Sequence, residues 1–224
     1  MSTAYRWYLI RLQGDSISRD GFLRSILKAK NREFWFSNSS HDLEGDARFY
    51  RRILLTVEKY LPSGESESEV VESVEWLDLS LIEGKKSSIL KIFNPGRNLR
   101  GLMVALESAL GYGFSASAIQ PENMKVESVL SQFEVVRLVG LKVTNVVVSK
   151  DCIGRMEFLS KDGIDPANLK PLKGLKYQPD FVKYEAIYRG LRGSFACANS
   201  GLVKVSGPLG SRIIELIDMQ LKRT

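Results

Sequence analysis

Histidine and cysteine are scarce in this sequence, and their scarcity excludes several classes of function. The 224 residues include one histidine, His41, and two cysteines, Cys152 and Cys197. One histidine leaves at most one imidazole base, and no Ser/His/Asp context surrounds His41, which we interpret as an exposed loop residue. Neither cysteine has Cys-x-x-Cys spacing, so we expect no disulfide framework, no metal site and no cofactor. Both cysteines are predicted to be small buried residues rather than nucleophiles.

Long apolar runs are missing as well. The chain nowhere holds eighteen consecutive uncharged apolar residues, and its first residues lack the apolar core of a signal peptide. An apolar content of 44% is nevertheless enough for a folded core. We therefore expect a cytoplasmic protein with no membrane partner.

Positive charge is concentrated in one part of the chain. The formal net charge is +6. Residues 137–224 contain 15 Lys and Arg against 8 Asp and Glu, whereas residues 1–136 contain 17 against 18. A basic half favours contact with a polyanion, because Lys and Arg neutralise phosphates and release their counterions. The alternative is that a moderate positive charge only keeps the protein in solution.

The apolar pattern predicts an α+β fold. Strands are predicted at residues 5–12, 33–36, 70–82, 88–93, 135–148 and 155–159, and three more after residue 180. Helices are predicted after Ser18, over residues 46–61, after Asn94-Pro95 and after Gly207-Pro208, and the polar residues 62–69 are expected to form a mobile loop. Together these elements predict a largely antiparallel curved sheet backed by helices. We divide it into two sequential lobes, 1–111 and 135–224, joined by a connector at 112–134.

A similar pattern occurs once in each predicted lobe. Residues 89–92 are followed by Asn94-Pro95 and a helix, and residues 202–205 are followed by Gly207-Pro208 and a helix. Each of these strands carries one lysine in an apolar run. Either an internal duplication or the common use of proline at helix starts explains the pattern.

The final part of the chain resembles one half of the TATA-binding-protein saddle. The matching residues are Tyr177-Gln178-Pro179-Asp180-Phe181, Tyr188-Arg189, Ser200-Gly201, residues 202–205 and Gly207, and residues 141–148 are similar to the opening strand of the repeat. Over residues 137–221 the resemblance implies a curved sheet with helices on one side and an open face for a long ligand. The phenylalanine pairs that wedge between bases in that family have no counterparts here, so recognition of TATA sequences is not implied.

Basic residues of this region are the candidate phosphate contacts. They are Lys170, Lys173 and Lys176 in one predicted loop, and Lys183, Arg189 and Arg192 on or after a predicted strand. Alternation along residues 181–189 puts Tyr184 and Tyr188 on one face of the strand and Lys183 and Arg189 on the other. We predict that the tyrosine face is core and that the Lys/Arg face meets either phosphates or solvent.

Arg97 and Arg100 form a second candidate phosphate site. They lie within one turn of a predicted helix start, where free backbone N–H groups attract anions and Gly96 permits close approach. The alternative is an ordinary capped helix with solvated arginines.

Glu83-Gly84-Lys85 has the Glu-x-Lys form of a metal-dependent nuclease motif. In such a motif the carboxylate holds the metal and the lysine stabilises charge. However, a glycine between two predicted strands is what a hairpin turn requires, and we favour the turn.

We therefore expect a non-catalytic protein that binds nucleic acid or another polyanion, as a subunit of a larger cytoplasmic complex. A protein partner or a second copy is expected. One alternative is a scaffold subunit without nucleic-acid contact, in which the acidic residues 65–83 and the sheet edges engage a partner. The other is a nuclease that uses Glu83 and Lys85.

Overall fold

The computed structural model describes residues 2–38, 42, 44–84, 87–150 and 152–223. Its strands are β1 (Ser2–Leu12), β2 (Phe34–Ser37), β3 (Ala47–Tyr60), β4 (Ser66–Glu83), β5 (Ser88–Phe93), β6 (Phe114–Ala118), β7 (Val135–Ser149), β8 (Cys152–Leu159), β9 (Gln178–Tyr188), β10 (Leu191–Ala198) and β11 (Val203–Ser206). Its α-helices are α1 (Arg19–Lys28), α2 (Arg100–Leu110), α3 (Val126–Leu130) and α4 (Gly210–Arg223). The α+β class is confirmed.

The strands form one antiparallel sheet. Their order is β2-β3-β4-β5-β1-β11-β10-β9-β7-β8, and β6 also pairs with β1. Strand β1 has neighbours on both edges, because residues 5–10 pair with β5 while residues 2–5 pair with β11 and residues 8–12 pair with β6. The sheet is open and uncurled, in place of the curved sheet that the resemblance implies.

The helices cover opposite faces of the two halves of this sheet. Helices α1 and α2 pack on a core that contains Ile10 of β1 and Leu90 of β5. Helices α3 and α4 pack on a different core, which contains Trp7 of β1 and Ile89 of β5. Since successive side chains of a strand point to opposite faces, the two cores lie on opposite sides of the sheet.

The segment between β8 and β9 covers the outer part of the sheet on the α3/α4 side. Its residue Leu172 packs with Leu141 and Val143 of β7, and Val182 of β9 joins the same cluster. Val182 also packs against the α3/α4 core, so both layers lie on one face.

The helix predicted over residues 46–61 is wrong, because this segment is strand β3. It pairs with β4 in an unbroken register from Ala47↔Leu79 to Tyr60↔Ser66. Apolar residues spaced by four, such as Phe49, Ile53 and Val57, share a face in a strand as well as in a helix. The β-branched residues among them favour the strand. The expected mobile loop over residues 62–69 is also too long, since β4 begins at Ser66.

The predicted start of α2 at Pro95 is wrong as well. The helix begins at Arg100, and Asn94 has a left-handed backbone with φ of 43°. The Asn94 side chain accepts a hydrogen bond from the Ala4 N–H of β1 at 3.0 Å, so it binds the sheet and does not cap the helix. The cap of α1 is as predicted, because Ser18 accepts from the Gly21 N–H at 3.2 Å.

A buried polar contact fastens α4 to the sheet. Asp218 accepts a hydrogen bond from Trp7 Nε1 at 2.9 Å and pairs with Lys91 Nζ at 2.7 Å. The Lys91 ammonium also lies 5.3 Å from the Tyr5 ring centroid and 5.1 Å from that of Phe93. Lys91 is only 9% exposed, so its charge depends on Asp218 for compensation.

Replacing Asp218 by alanine is therefore expected to lower the free energy of unfolding by about 3 kcal/mol, because it leaves a buried lysine unpaired. Urea unfolding followed by circular dichroism measures this loss. The matched control is Glu215→Ala on the same helix, whose pair with Arg212 is exposed and contributes less than about 0.5 kcal/mol. Equal losses in the two variants would contradict the assigned role of Asp218.

Candidate polyanion-binding face

The half of the sheet that contains β9 is covered on one face only. Val182, Tyr184 and Ala186 point into the α3/α4 core, and burial there raises the pKa of the Tyr184 phenol. The tyrosine face of β9 is therefore core, as predicted. Lys183 and Glu185 alternate with these residues and are exposed on the other face, which carries no helix.

Cross-strand pairing shows which residues share the uncovered face. One row runs from Arg137 on β7 through Glu185 and Ser194 to Ser206. The two serine hydroxyls of this row are 2.7 Å apart, which confirms the register. The next row runs from Lys183 through Ala196 to Lys204. We call this surface the basic face, and its cations are Arg137, Lys142, Lys183, Arg192 and Lys204.

Most cations of the basic face are free to meet an anion. Lys142 pairs with Glu157 at 3.0 Å and lies 5.9 Å from the Phe181 ring centroid. The other four cations form no ion pair with any residue that the structure describes, and Glu185 is the carboxylate among them. Small side chains, Ser194, Ala196 and Ser206, lie between the cations. The two serines are half-buried and within reach of a ligand, whereas neighbouring side chains cover Ala196.

A cleft of about 310 Å³ opens on the basic face. Its polar lining consists of Arg137 and Arg192, Lys161 after β8, the serine pair and the carboxylate of Glu185. Gly193 and Gly207 close it from below, and a Cβ added at Gly193 would stand 2.7 Å from the Leu209 Cβ. Three cations against one carboxylate leave the cleft with a net positive charge, and with the two hydroxyls they are suited to bind phosphate oxygens.

The structure separates the predicted phosphate contacts into several places. Lys183 and Arg192 lie on the basic face. Lys170, Lys173 and Lys176 lie on the segment that covers the opposite face of the sheet, since Leu172 between them packs into that cover. A single ligand on the basic face would not meet this lysine group.

Arg189 lies at a hairpin tip rather than on the face. Tyr188 pairs with Leu191, so Arg189 and Gly190 form a two-residue turn with φ of 49° and 74°. The Arg189 N–H donates to Glu134 at 3.1 Å, and the guanidinium lies 5.2 Å from the Tyr188 ring centroid. These contacts direct the side chain toward Tyr188.

Arg97 and Arg100 lie in the other half of the molecule. The Arg100 N–H donates to the side chain of Asn98 at 2.9 Å. Arg97 lines a cleft together with Glu75 and Trp76 of β4. The two arginines are therefore not brought together with the basic face.

Sequence reasoning missed three cations of the basic face, namely Arg137, Lys142 and Lys204. Each is the charged member of an apolar strand, so the signal was present as alternation along residues 135–143 and 202–206. Alternation shows which side chains share a face within one strand, but not how that face continues on the neighbouring strands. Only the register between β7, β9, β10 and β11 shows that these faces are continuous.

A second uncovered surface on β2, β3 and β4 carries aromatic residues. Trp35 and Tyr50 stack with ring centroids 5.0 Å apart, and Arg48 lies 4.0 Å from the Trp76 ring centroid. Asp78 binds Arg48 at 2.6 and 2.9 Å, which raises the pKa of the guanidinium and neutralises its charge. This surface therefore offers less free positive charge than the basic face.

Glu83 and Gly84 of the Glu-x-Lys motif lie at the end of β4, where the chain leads into its antiparallel partner β5. Glu83 pairs with Ser88, the Gly84 N–H donates to the Ser87 carbonyl at 2.9 Å, and the Glu83 carboxylate accepts from the Arg19 N–H at 2.6 Å. Lys85 lies outside the described residues, as does His41. Within the described part of the chain, no three His, Cys, Asp or Glu side chains are placed to hold a metal ion together.

The two cysteines differ in accessibility. Cys197 is buried, as predicted, and burial raises the pKa of its thiol to about 12. Cys152 is exposed at the start of β8, so its predicted burial is wrong. It lies at the start of β8, the outermost strand on that side of the sheet.

No protein-family model matches the chain, and no curated protein shows significant similarity to it. None of the helices in the described residues is long and apolar enough to span a membrane. The case for the basic face therefore depends on its own geometry.

The accessibility of the thiols gives a direct test of the sheet register. Under native conditions at about pH 8 we expect one thiol per chain to react with a disulfide reagent, because Cys197 stays protonated and covered. Denaturant should raise the number to two. A Cys152→Ser variant that still reacts under native conditions would contradict the position of Cys197.

Proposed function

We propose that this protein binds nucleic acid or a similar polyanion through the basic face, as a non-catalytic subunit of a larger cytoplasmic complex. The observation that carries the proposal is the uncovered sheet face with four unpaired cations around small side chains. The excess positive charge of residues 137–224 is consistent with it. Cations on three or more neighbouring strands suit an extended row of phosphates better than a single phosphate.

The composition of the face favours contacts to phosphates over contacts to bases. Tyr184 and Tyr188 pack against the α3/α4 core, so they are not available for base stacking. The polar groups that remain are lysines, arginines and serine hydroxyls, which bind the sugar-phosphate backbone. We therefore expect binding that depends strongly on salt and weakly on base sequence.

The two-lobe division, the internal duplication and the resemblance to a TATA-binding-protein half are proposals of the same kind. Two separate cores support the division, one with α1 and α2 and one with α3 and α4. The order β9, β10, β11, α4 supports the resemblance over the end of the chain. In both halves a strand beside β1 leads into a helix, as a duplication would require.

The scaffold alternative has one specific observation in its favour. Strands β3 and β4 extend beyond the core as a hairpin with exposed apolar residues, among them Leu54, Tyr60 and Val70. Exposed apolar surface of this kind marks sites of protein association. The nuclease alternative stays a prediction, and cleavage assays with added divalent metal on the wild type and on Lys85→Ala test it.

Neutralising two cations of the basic face is expected to weaken nucleic-acid binding. For Lys183→Ala/Arg192→Ala we expect about tenfold weaker binding of a labelled 20-nucleotide DNA or RNA at about 50 mM salt. The slope of log affinity against log salt should fall by about two, one for each lost phosphate contact. Fluorescence anisotropy over a salt series measures both quantities.

The matched control is Lys170→Ala/Lys173→Ala, which removes the same charge from the opposite face and should change affinity less than about twofold. Equal losses in the two double variants would show that binding follows net charge and not the basic face. If the wild type binds neither DNA nor RNA at low salt, the proposed function is wrong.

A further inference from the structure

Residues 52–74 form a two-stranded arm that projects from the sheet. Nine cross-strand pairs, from Arg52↔Val74 to Tyr60↔Ser66, continue the β3–β4 ladder beyond β2 and β5. At about 3.3 Å per residue the arm is about 30 Å long. Its tip is a tight turn in which the Leu61 N–H donates to the Glu65 carbonyl at 2.8 Å.

Both faces of the arm carry apolar side chains. Leu54 and Val70 lie on one face and are 73% and 64% exposed, and Leu55 and Val71 form a cross-strand pair on the other. A two-stranded ribbon in water is marginally stable, and apolar residues on both of its faces gain stability when another surface covers them. The arm is therefore suited to lie against a partner.

The arm is acidic. It contains five glutamates against two cations. The cations are already paired within the arm, since Lys59 contacts Glu69 and Arg52 lies 3.3 Å from Glu72. Glu58, Glu65 and Glu67 form no ion pair with the described residues, so the arm presents three uncompensated negative charges.

The basic face has the complementary charge and size. Its four unpaired cations and Glu185 leave a net charge of about +3, against about −3 for the arm. The face spans the four strands from β11 to β7, which at about 4.8 Å between neighbouring strands is about 15 Å. An arm about 30 Å long can lie across all four strands.

The arm does not reach the basic face of its own chain. It continues β3 and β4 with no register shift, so it leads away from the body of the sheet. Strands β5 and β1 separate β4 from the first strand of the basic face. A contact between the two surfaces therefore needs two molecules.

We propose that the arm of one copy of this protein docks on the basic face of a second copy. One face of the arm, with Leu54, Val70 and Glu58, then lies against the half-buried Ser194 and Ser206, and Glu58 approaches the unpaired cations. Glu67 lies on the opposite face of the ribbon and Glu65 lies at its tip, so these two act through the net charge of the arm. One consequence rests on the proposed function: the arm and a nucleic acid compete for the same cations, so a polyanion releases the docked copy.

A charge exchange between the two surfaces tests the proposal. One variant, Glu58→Lys/Glu65→Lys/Glu67→Lys, makes the arm positive, and the other, Lys183→Glu/Arg192→Glu/Lys204→Glu, makes the basic face negative. All six side chains are exposed, and thermal unfolding of each variant checks that the fold is kept. Sedimentation velocity at about 50 mM salt measures self-association.

The wild type is expected to self-associate at micromolar concentration, and each variant alone to associate at least about tenfold more weakly, because its two surfaces then have like charge. An equal mixture of the variants should associate again, since the positive arm of one meets the negative face of the other. A monomeric wild type, variants that associate like the wild type, or a mixture that stays monomeric would each overturn the proposal.

The same proteins distinguish this inference from the proposed function. The arm variant keeps the whole basic face, so it should bind a 20-nucleotide DNA or RNA at least as tightly as the wild type. Nucleic-acid binding without self-association would overturn the arm contact and leave the proposed function in place. If the mixture associates again but neither the wild type nor any variant binds nucleic acid, the arm contact stands and the proposed function is wrong.

Discussion

Hydrogen bonding on both edges of β1 is the constraint on which the rest of this structure depends. The strand pairs with β5 on one side and with β11 and β6 on the other, so residues distant in sequence join one sheet through it. Its two faces are also both covered, with Trp7 in the α3/α4 core and Ile10 in the α1/α2 core. A strand buried on both faces needs a nearly continuous apolar and aromatic sequence, which residues 5–10 provide. The contact of Asp218 with Trp7 and Lys91 then holds the last helix against this central strand.

Covering the two halves on opposite sides has an electrostatic consequence. Each half keeps one sheet face free of helices, and the two free faces point in opposite directions. The face on β2, β3 and β4 is aromatic, and its Arg48 is compensated by Asp78 and by Asp42. On the face formed by β7, β9, β10 and β11, Lys142 pairs with Glu157, and the other four cations form no ion pair with the described residues. The uneven charge along the sequence therefore corresponds to two separate surfaces. The acidic arm lies in one half of the molecule and the basic face lies in the other.

The sequence predicted individual elements better than their relations to one another. The structure confirms three predictions that depend on interactions within a few residues: Ser18 as the cap of α1, the core-facing tyrosines of β9, and the β4–β5 hairpin. The helix predicted over 46–61 failed because spacing by four is compatible with both helix and strand, and the decisive interaction is the distant pairing of Ala47 to Tyr60 with β4. The prediction that Asn94 caps α2 failed for the same reason, because its side chain accepts a hydrogen bond from Ala4, which is distant in sequence. The basic face required the register of four strands, which no local pattern contains.

The ion pairs within the arm bear on how it can act. Lys59 and Arg52 contact glutamates of the opposite strand, and such cross-strand pairs favour the hairpin before any partner is present. A surface that is already ordered loses less conformational entropy on docking than a loop that must first fold. Because both cations of the arm are paired in this way, its remaining carboxylates have no compensating charge. The ion pairs that favour the hairpin therefore also leave the arm negatively charged. An extended, preformed ribbon with negative charge resembles a polyanion, so both can bind the basic face.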